Sequence, residues 1–216
     1  MMRNTNVPIQ EVFRARFLAS AGAASFVVGM NPGPYNAAQL IGTSLNVEDE
    51  DDASAYTVTF ASTDFANPYG NATAAEVATA IGSSTSVVTS VALDGGYTGR
   101  TYLKILASAA DKDLTITKDT AAGAKDALVI LGLLPVVIDA SAFTATYDLS
   151  SYFIDDLGLG AEMCPPLVQV YEVSSNAWTL DVDNVVVWTD EVSATPHILS
   201  VDSGAAIDGA VVITFV

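Results

Sequence analysis

The sequence predicts a mainly β protein with a small α+β part. Three features carry that expectation. Apolar residues alternate with Thr, Ser and other polar residues through many short runs, the period of a half-buried strand. Clusters of Pro, Gly, Asn and Asp separate those runs where strands would reverse. Only two internal stretches have helical spacing, "TAAEVATAIGSS" and "TAAGAKDALVILGL". With 216 residues, 50% of them hydrophobic and 15% charged, the chain can bury a sizeable core and is too apolar for disorder. The expected organisation is an N-terminal arm or short helix over 1–20, an α+β module with two short helices over 21–134, and a C-terminal antiparallel β-sandwich or barrel over 135–216.

Each element has a local reason. Val12, Phe13 and Phe17 fall at mixed spacing, which suits a short helix or an extended arm. "SFVVGM" reads as a strand closed by the turn "NPGPY", and "QLIGTSLNV" as a second strand bulged at Gly42. In "AYTVTFAS", Tyr56, Val58 and Phe60 share one face while Thr57 and Thr59 share the other. After the turn "NPYGN", Thr73 and Glu76 have the spacing of a capping box, which satisfies the free N–H groups that start a helix. Val77 and Ile81, with Ala74 and Ala78, give that helix a packing side, and its shortage of charge predicts that much of its remaining surface is covered as well. The strands "SVVTSVAL", "TYLKILAS" and "DLTITK" follow. A second helix then places Ala124, Leu128 and Leu131 together, with Gly132 as its stop. Beyond Pro135 the runs from "PVVIDAS" to "GAVVITFV" are all strand-like and spaced as in a sandwich or barrel.

Charge placement narrows the function classes. The formal net charge is −17 from 8 basic and 25 acidic residues. Arg3, Arg14 and Arg16 lie at the N-terminal end, the other basic residues fall between 100 and 125, and no Lys or Arg follows Lys125. So few cations argue against direct binding of nucleic acid, whose phosphates need Lys and Arg. The same acidity repels anionic membranes, and no run reaches the roughly 18 apolar residues of a membrane span. Glu11, Arg14 and Arg16 interrupt any signal-peptide core, so neither export signal nor anchor is expected. Cys164 is the single cysteine and His197 the single histidine, which leaves no disulfide, no cysteine metal cluster and one isolated candidate base.

Four sets of residues merit weighing. Glu48, Asp49 and Asp51, within five adjacent carboxylates, are weak candidates for a hard cation such as calcium, but they lack alternating ligand spacing and a turn glycine. A solvated hairpin tip is the plainer reading. Arg3, Arg14, Arg16, Phe13 and Phe17 could dock on an acidic neighbour, including another copy of the chain. Trp178 and Trp188, with Tyr171 and Tyr152, could form an aromatic platform for glycans, or simply pack within the sheets. Asp155 with Asp156, or Asp181 with Asp183, would be the carboxylate pairs of a glycosidase, but adjacent aspartates are common in turns. No cofactor is expected.

The runs "TVTF", "TAAEVATAI", "LKILAS", "DLTITK" and "ALVILGL" together resemble a module common in virion proteins of tailed bacteriophages, including tail and fibre components. The stretch from "VQVYEV" through "WTLDVDNVVVWTDE" to "IDGAVVITFV" is similar to small β-sandwich modules of phage appendage and decoration proteins. The resemblance implies a structural, non-enzymatic virion protein, first of all a capsid decoration or cement protein. The alternatives are a tail or fibre subunit, or a β module binding carbohydrate or a host surface. The partners it implies are other virion proteins and copies of itself as a homo-oligomer, in the virion. Deleting residues 1–18 is then expected to leave a folded body that no longer assembles, whereas deleting "VVITFV" is expected to unfold the second domain.

Overall fold

The computed structural model describes residues 11–50, 52, 54–85, 88–94, 100–149, 167–172, 177–180, 186–189, 198–202, 205 and 207–215. Strands β1 (Glu11–Ala19) and β2 (Phe26–Gly33) come first, followed by the two-residue β3 (Tyr35–Asn36) and the single-turn α1 (Ala37–Leu40). Then come β4 (Thr43–Asp49), β5 (Tyr56–Thr59), a 3-10 turn at Ser62–Asp64, the two-residue β6 (Asn71–Ala72) and the helix α2 (Ala74–Ser84). Next are β7 (Val88–Asp94), β8 (Thr101–Ala107), β9 (Leu114–Lys118), the two-residue β10 (Lys125–Asp126) and the single-turn α3 (Leu128–Leu131). The chain continues through β11 (Val136–Asp139), β12 (Thr144–Asp148), β13 (Leu167–Glu172), β14 (Ala177–Leu180), β15 (Val186–Thr189), β16 (Ile198–Asp202) and β17 (Ile207–Phe215). The protein is mainly β with a small helical part, as its alternation predicts.

Two large sheets organise these strands. A seven-stranded antiparallel sheet has the order β14-β13-β17-β1-β2-β8-β7. An eight-stranded sheet runs β10-β4-β9-β11-β12-β16-β15, with β5 also on β4 and only β10 parallel to its neighbour. One buried cluster joins them, drawing Phe17, Val27, Leu103 and Ile105 from the first sheet and Leu45, Ile116, Ile138, Tyr147 and Leu199 from the second. The rings of Phe17 and Tyr147 meet edge to face at 6.2 Å and 71° across the interface. The sheets therefore form a sandwich, but not the one expected. β17 pairs with β1, and β11 lies between β9 and β12, so both chain halves contribute to both sheets. The separation at residue 134 does not divide the core.

The largest correction concerns the N-terminus. The segment expected as an arm or short helix is, from Glu11, a strand hydrogen-bonded on both edges, by β17 along nine residues and by β2. Ala15, Phe17 and Ala19 are buried, while Arg14, Arg16 and Leu18 take the other face. The period of two was masked by the small alanines on the buried side. Gly209 stands opposite Phe17 in the ladder, and a Cβ there would approach the ring at 3.2 Å, so the glycine makes room for the aromatic ring.

The capping box is present. Thr73 Oγ1 accepts from the Glu76 N–H at 3.2 Å, and Glu76 Oε2 accepts from the Thr73 N–H at 2.7 Å. The Ala66 N–H also donates to Glu76 Oε1 at 2.7 Å, and this bond, followed by those from Thr73, holds the Glu76 carboxyl below the usual range. Ala74, Val77, Ala78, Ala80 and Ile81 are buried, and α2 contacts β7 and β8 of one sheet and β5 of the other, closing one side of the sandwich. Its outer face is open, contrary to expectation. Ala75, Thr79 and Ser83 are exposed, and Thr79 Oγ1 donates back to the Ala75 carbonyl at 2.9 Å. That face carries short hydroxyl side chains that bond back to carbonyls of their own helix.

Two local expectations change. "QLIGTSLNV" is the end of α1, a turn at Gly42 (φ +78°) and then β4. The second helix is reduced to one turn, because Gly123 (φ +85°) turns the chain and Lys125–Asp126 pairs with β4. α3 ends at Gly132 (φ +67°), where a Cβ would collide with the Asn31 backbone and where the Met30 N–H donates to the Gly132 carbonyl at 2.8 Å.

Phe17→Ala is expected to lower the free energy of unfolding by about 3–5 kcal/mol in a urea titration. Deleting residues 1–19 is expected to abolish the cooperative transition, in place of the folded body foreseen from sequence. Glu76→Gln is expected to lower the melting temperature at pH 7. Because the folded Glu76 pKa is depressed, the wild-type advantage is present at neutral pH and fades as pH falls through that value, which a series of melts between pH 7 and pH 3 would follow.

Candidate functional site

The outer face of the seven-stranded sheet gathers charge that the sequence scatters. One line of paired positions crosses all seven strands: Trp178, Tyr171, Ala210, Arg16, Val28, Lys104 and Val91. Directly opposed residues share a face, so Arg16 and Lys104 meet there although 88 positions separate them. Arg16 Nη2 pairs with Asp208 Oδ1 at 2.8 Å, both side chains being about one-third exposed (33% and 32%). Lys104 Nζ lies 3.8 Å from the centre of the Phe26 ring, and the Arg16 guanidinium 6.0 Å from it. Burial, assisted by the nearby Arg16, lowers the Lys104 pKa, while Asp208 opposes that shift. Arg14 is exposed two residues along the same face.

Of the proposed docking residues, Arg14 and Arg16 therefore share a surface. Phe17 points into the core and is 0% exposed, so it docks nothing. Phe13 pairs with Ile213 in the β1–β17 ladder, and Arg3 lies outside the described residues. Sequence reasoning missed Phe26, Lys104 and Asp208. Alternation could have placed Arg14 and Arg16 together, but only strand order brings β8 and β17 beside them.

The acidic run is largely structural. Asp49 is 1% exposed and ends the inward line formed with Leu114, Ile138, Ala145 and Val201. Its Oδ2 accepts from the Ser108 N–H at 2.7 Å, tying the end of β8 in one sheet to β4 in the other. The Asp49 N–H donates to Asp52 Oδ2 at 2.8 Å, and the Asp52 N–H to the Asp49 carbonyl at 2.9 Å, which closes the turn. Glu48 is half-buried on β4, and Glu50 lies 3.9 Å from Lys112. Asp51 lies outside the described residues. Among the described residues no group of three Asp, Glu, His or Cys side chains is arranged to hold a metal. Asp113 and Asp139 adjoin this end of the sheet. Burial raises the Asp113 pKa, with Asp139, Glu50 and Asp49 adding to the rise against a bond from the Ala140 N–H. Bonds from the Ala142 N–H and Ser141 Oγ keep Asp139 low.

The two tryptophans fall in different sheets. Trp178 pairs with Tyr171 in the seven-stranded sheet, whereas Trp188 pairs with Leu199 in the other. The Trp188 line continues through Tyr147, Val136, Ile116 and Val47, all buried. A shared platform on one sheet is thereby ruled out. An open cleft of about 700 Å³ lies over the other end of the eight-stranded sheet, lined by residues that include Asn46, Thr117, Lys118, Asp119 and Asp148. Ser44 Oγ and the Ala121 N–H donate to Asp119 at 2.7 and 2.9 Å and hold its pKa down, so this carboxylate is a fixed acceptor. Tyr152, Asp155, Asp156, Cys164, Asp181, Asp183 and His197 lie outside the described residues.

Comparison with protein-family models and with curated proteins gives no match. Among solved structures, the D2-D3 domains of the flagellar cap protein FliD from Escherichia coli are similar at 9% identity and a TM-score of 0.33, over 98% of this chain and 91% of that one. The FliD D1-D2-D3 structure gives 8% identity and a TM-score of 0.32 over 96% of this chain, which spans only 59% of that longer protein. Asp49→Ala is expected to cost about 1–3 kcal/mol in chemical denaturation by removing the charged acceptor of the Ser108 N–H and with it the tie between the sheets.

Proposed function

We propose that this chain is a structural, non-enzymatic subunit of a larger particle. In its narrower form the proposal is a capsid decoration or cement protein of a tailed bacteriophage, packing on or between coat subunits in the virion. The single observation that supports it is the broad outer face of the seven-stranded sheet, where Arg14, Arg16 and Lys104 cluster in a chain of net charge −17. A sheet face of this kind offers a wide, preformed contact area whose backbone is already ordered, so little freedom is lost on docking. At the other sheet Asp49 and Asp52 are committed to the turn and to the tie between sheets. The separation of Trp178 from Trp188 disfavours the glycan platform considered above.

Quantitative mass spectrometry of particles purified from a lysate of the strain encoding this chain tests the proposal. The expected result is a copy number in fixed ratio to the coat subunit. Absence of the chain from purified particles, with the protein free in the supernatant, would contradict it.

A further inference from the structure

We infer that the outer face of the seven-stranded sheet receives the acidic end of the eight-stranded sheet from a second copy of the same chain. This rests on the structural-subunit reading and specifies its partner. The receiving face carries, among the described residues, three cations (Arg14, Arg16 and Lys104) and one carboxylate, Asp208. Around the cations lie Phe26 and Val28, both buried, and Leu18 and Leu106, both half-buried. An acidic group arriving there meets positive charge on a low-dielectric apolar floor, where attraction is stronger than in open water.

The complementary surface lies elsewhere on the same molecule. β4 ends at Asp49, β9 begins at Leu114 and β11 ends at Asp139, and these termini adjoin in the ladder. Thr144 links Asp139 to Asp202 across β12, extending the acidic row. Glu50 and Asp113 complete it: Asp113 follows Lys112 at the start of β9, beside Asp139 at the end of β11 and next to the turn that carries Glu50. Lys112 meets Glu50 at 3.9 Å within the molecule, yet Glu50, Asp113, Asp139 and Asp202 outnumber it, and the acidic sign of the row complements the basic face of a second copy. The two surfaces lie on different sheets, and a contact that uses one surface from each copy leaves the other pair open, which makes it heterologous. Such a contact runs from copy to copy and produces a ring or a filament. Contact between such charged surfaces weakens as salt screens them over about 8 Å at physiological ionic strength.

Sedimentation velocity of the full chain in 20 mM and 500 mM sodium chloride tests this. The wild type is expected to associate at low salt and disperse at high salt. Arg14→Glu, at an exposed position, is expected to weaken association about tenfold, and Arg14→Glu with Lys104→Glu to leave a monomer whose circular dichroism matches wild type. Adding Glu50→Lys and Asp202→Lys to that double variant is expected to restore assembly by exchanging the charges. Association that ignores both salt and Arg14→Glu would overturn this interface while leaving the subunit reading intact. A wild type that stays monomeric at low salt would overturn the second copy as partner. Failure of the exchanged variant to assemble, with its fold retained, would overturn the acidic row as the complement. The subunit reading fails by a different result, absence from purified particles.

Discussion

The pairing of β1 with β17 is the constraint on which the rest depends. Nine residues near one end of the sequence lie in register against nine near the other. That single ladder puts β1 inside the sheet, with β17 on one edge and β2 on the other. It brings Phe17 over Gly209 and against Tyr147. It also places Arg16 beside Asp208. Without it the seven-stranded sheet would separate into two smaller pieces, each with an unprotected edge. The core and the charged face are two sides of the same strand.

Interleaving of the chain halves follows from this closure. A sandwich whose sheets both draw on early and late strands cannot be cut at a loop into two independent domains. Non-local ladders of this kind must be closed before they contribute stability, so folding is expected to be slow for the chain length. Asp49 reinforces the union through the bond its buried carboxylate accepts from the Ser108 N–H, a use of a carboxylate that explains part of a run otherwise resembling a cation loop.

What was legible in the sequence was local. The Thr73–Glu76 box, the alternation of Tyr56, Val58 and Phe60, and the strand at "TYLKILAS" need only neighbours in the chain, and each is present. What was not legible depended on partners. β1 has alanines where an isolated strand would show larger apolar residues, and only β17, β2 and the facing Tyr147 make that spacing intelligible. The second helix failed because Lys125 and Asp126 found a strand to pair with, and pairing outweighed helical propensity. For the site, Arg14 and Arg16 stood among five docking candidates with Arg3, Phe13 and Phe17, and Lys104, Phe26 and Asp208 entered only through strand order.

Amide hydrogen exchange of the full chain, read by mass spectrometry over peptides covering residues 11–19, tests the central claim most directly. The account predicts protection in β1 equal to that in β2 and β8, lost only in global unfolding. Exchange of residues 11–19 at the rate of a free segment, while β2 and β8 stay protected, would contradict it.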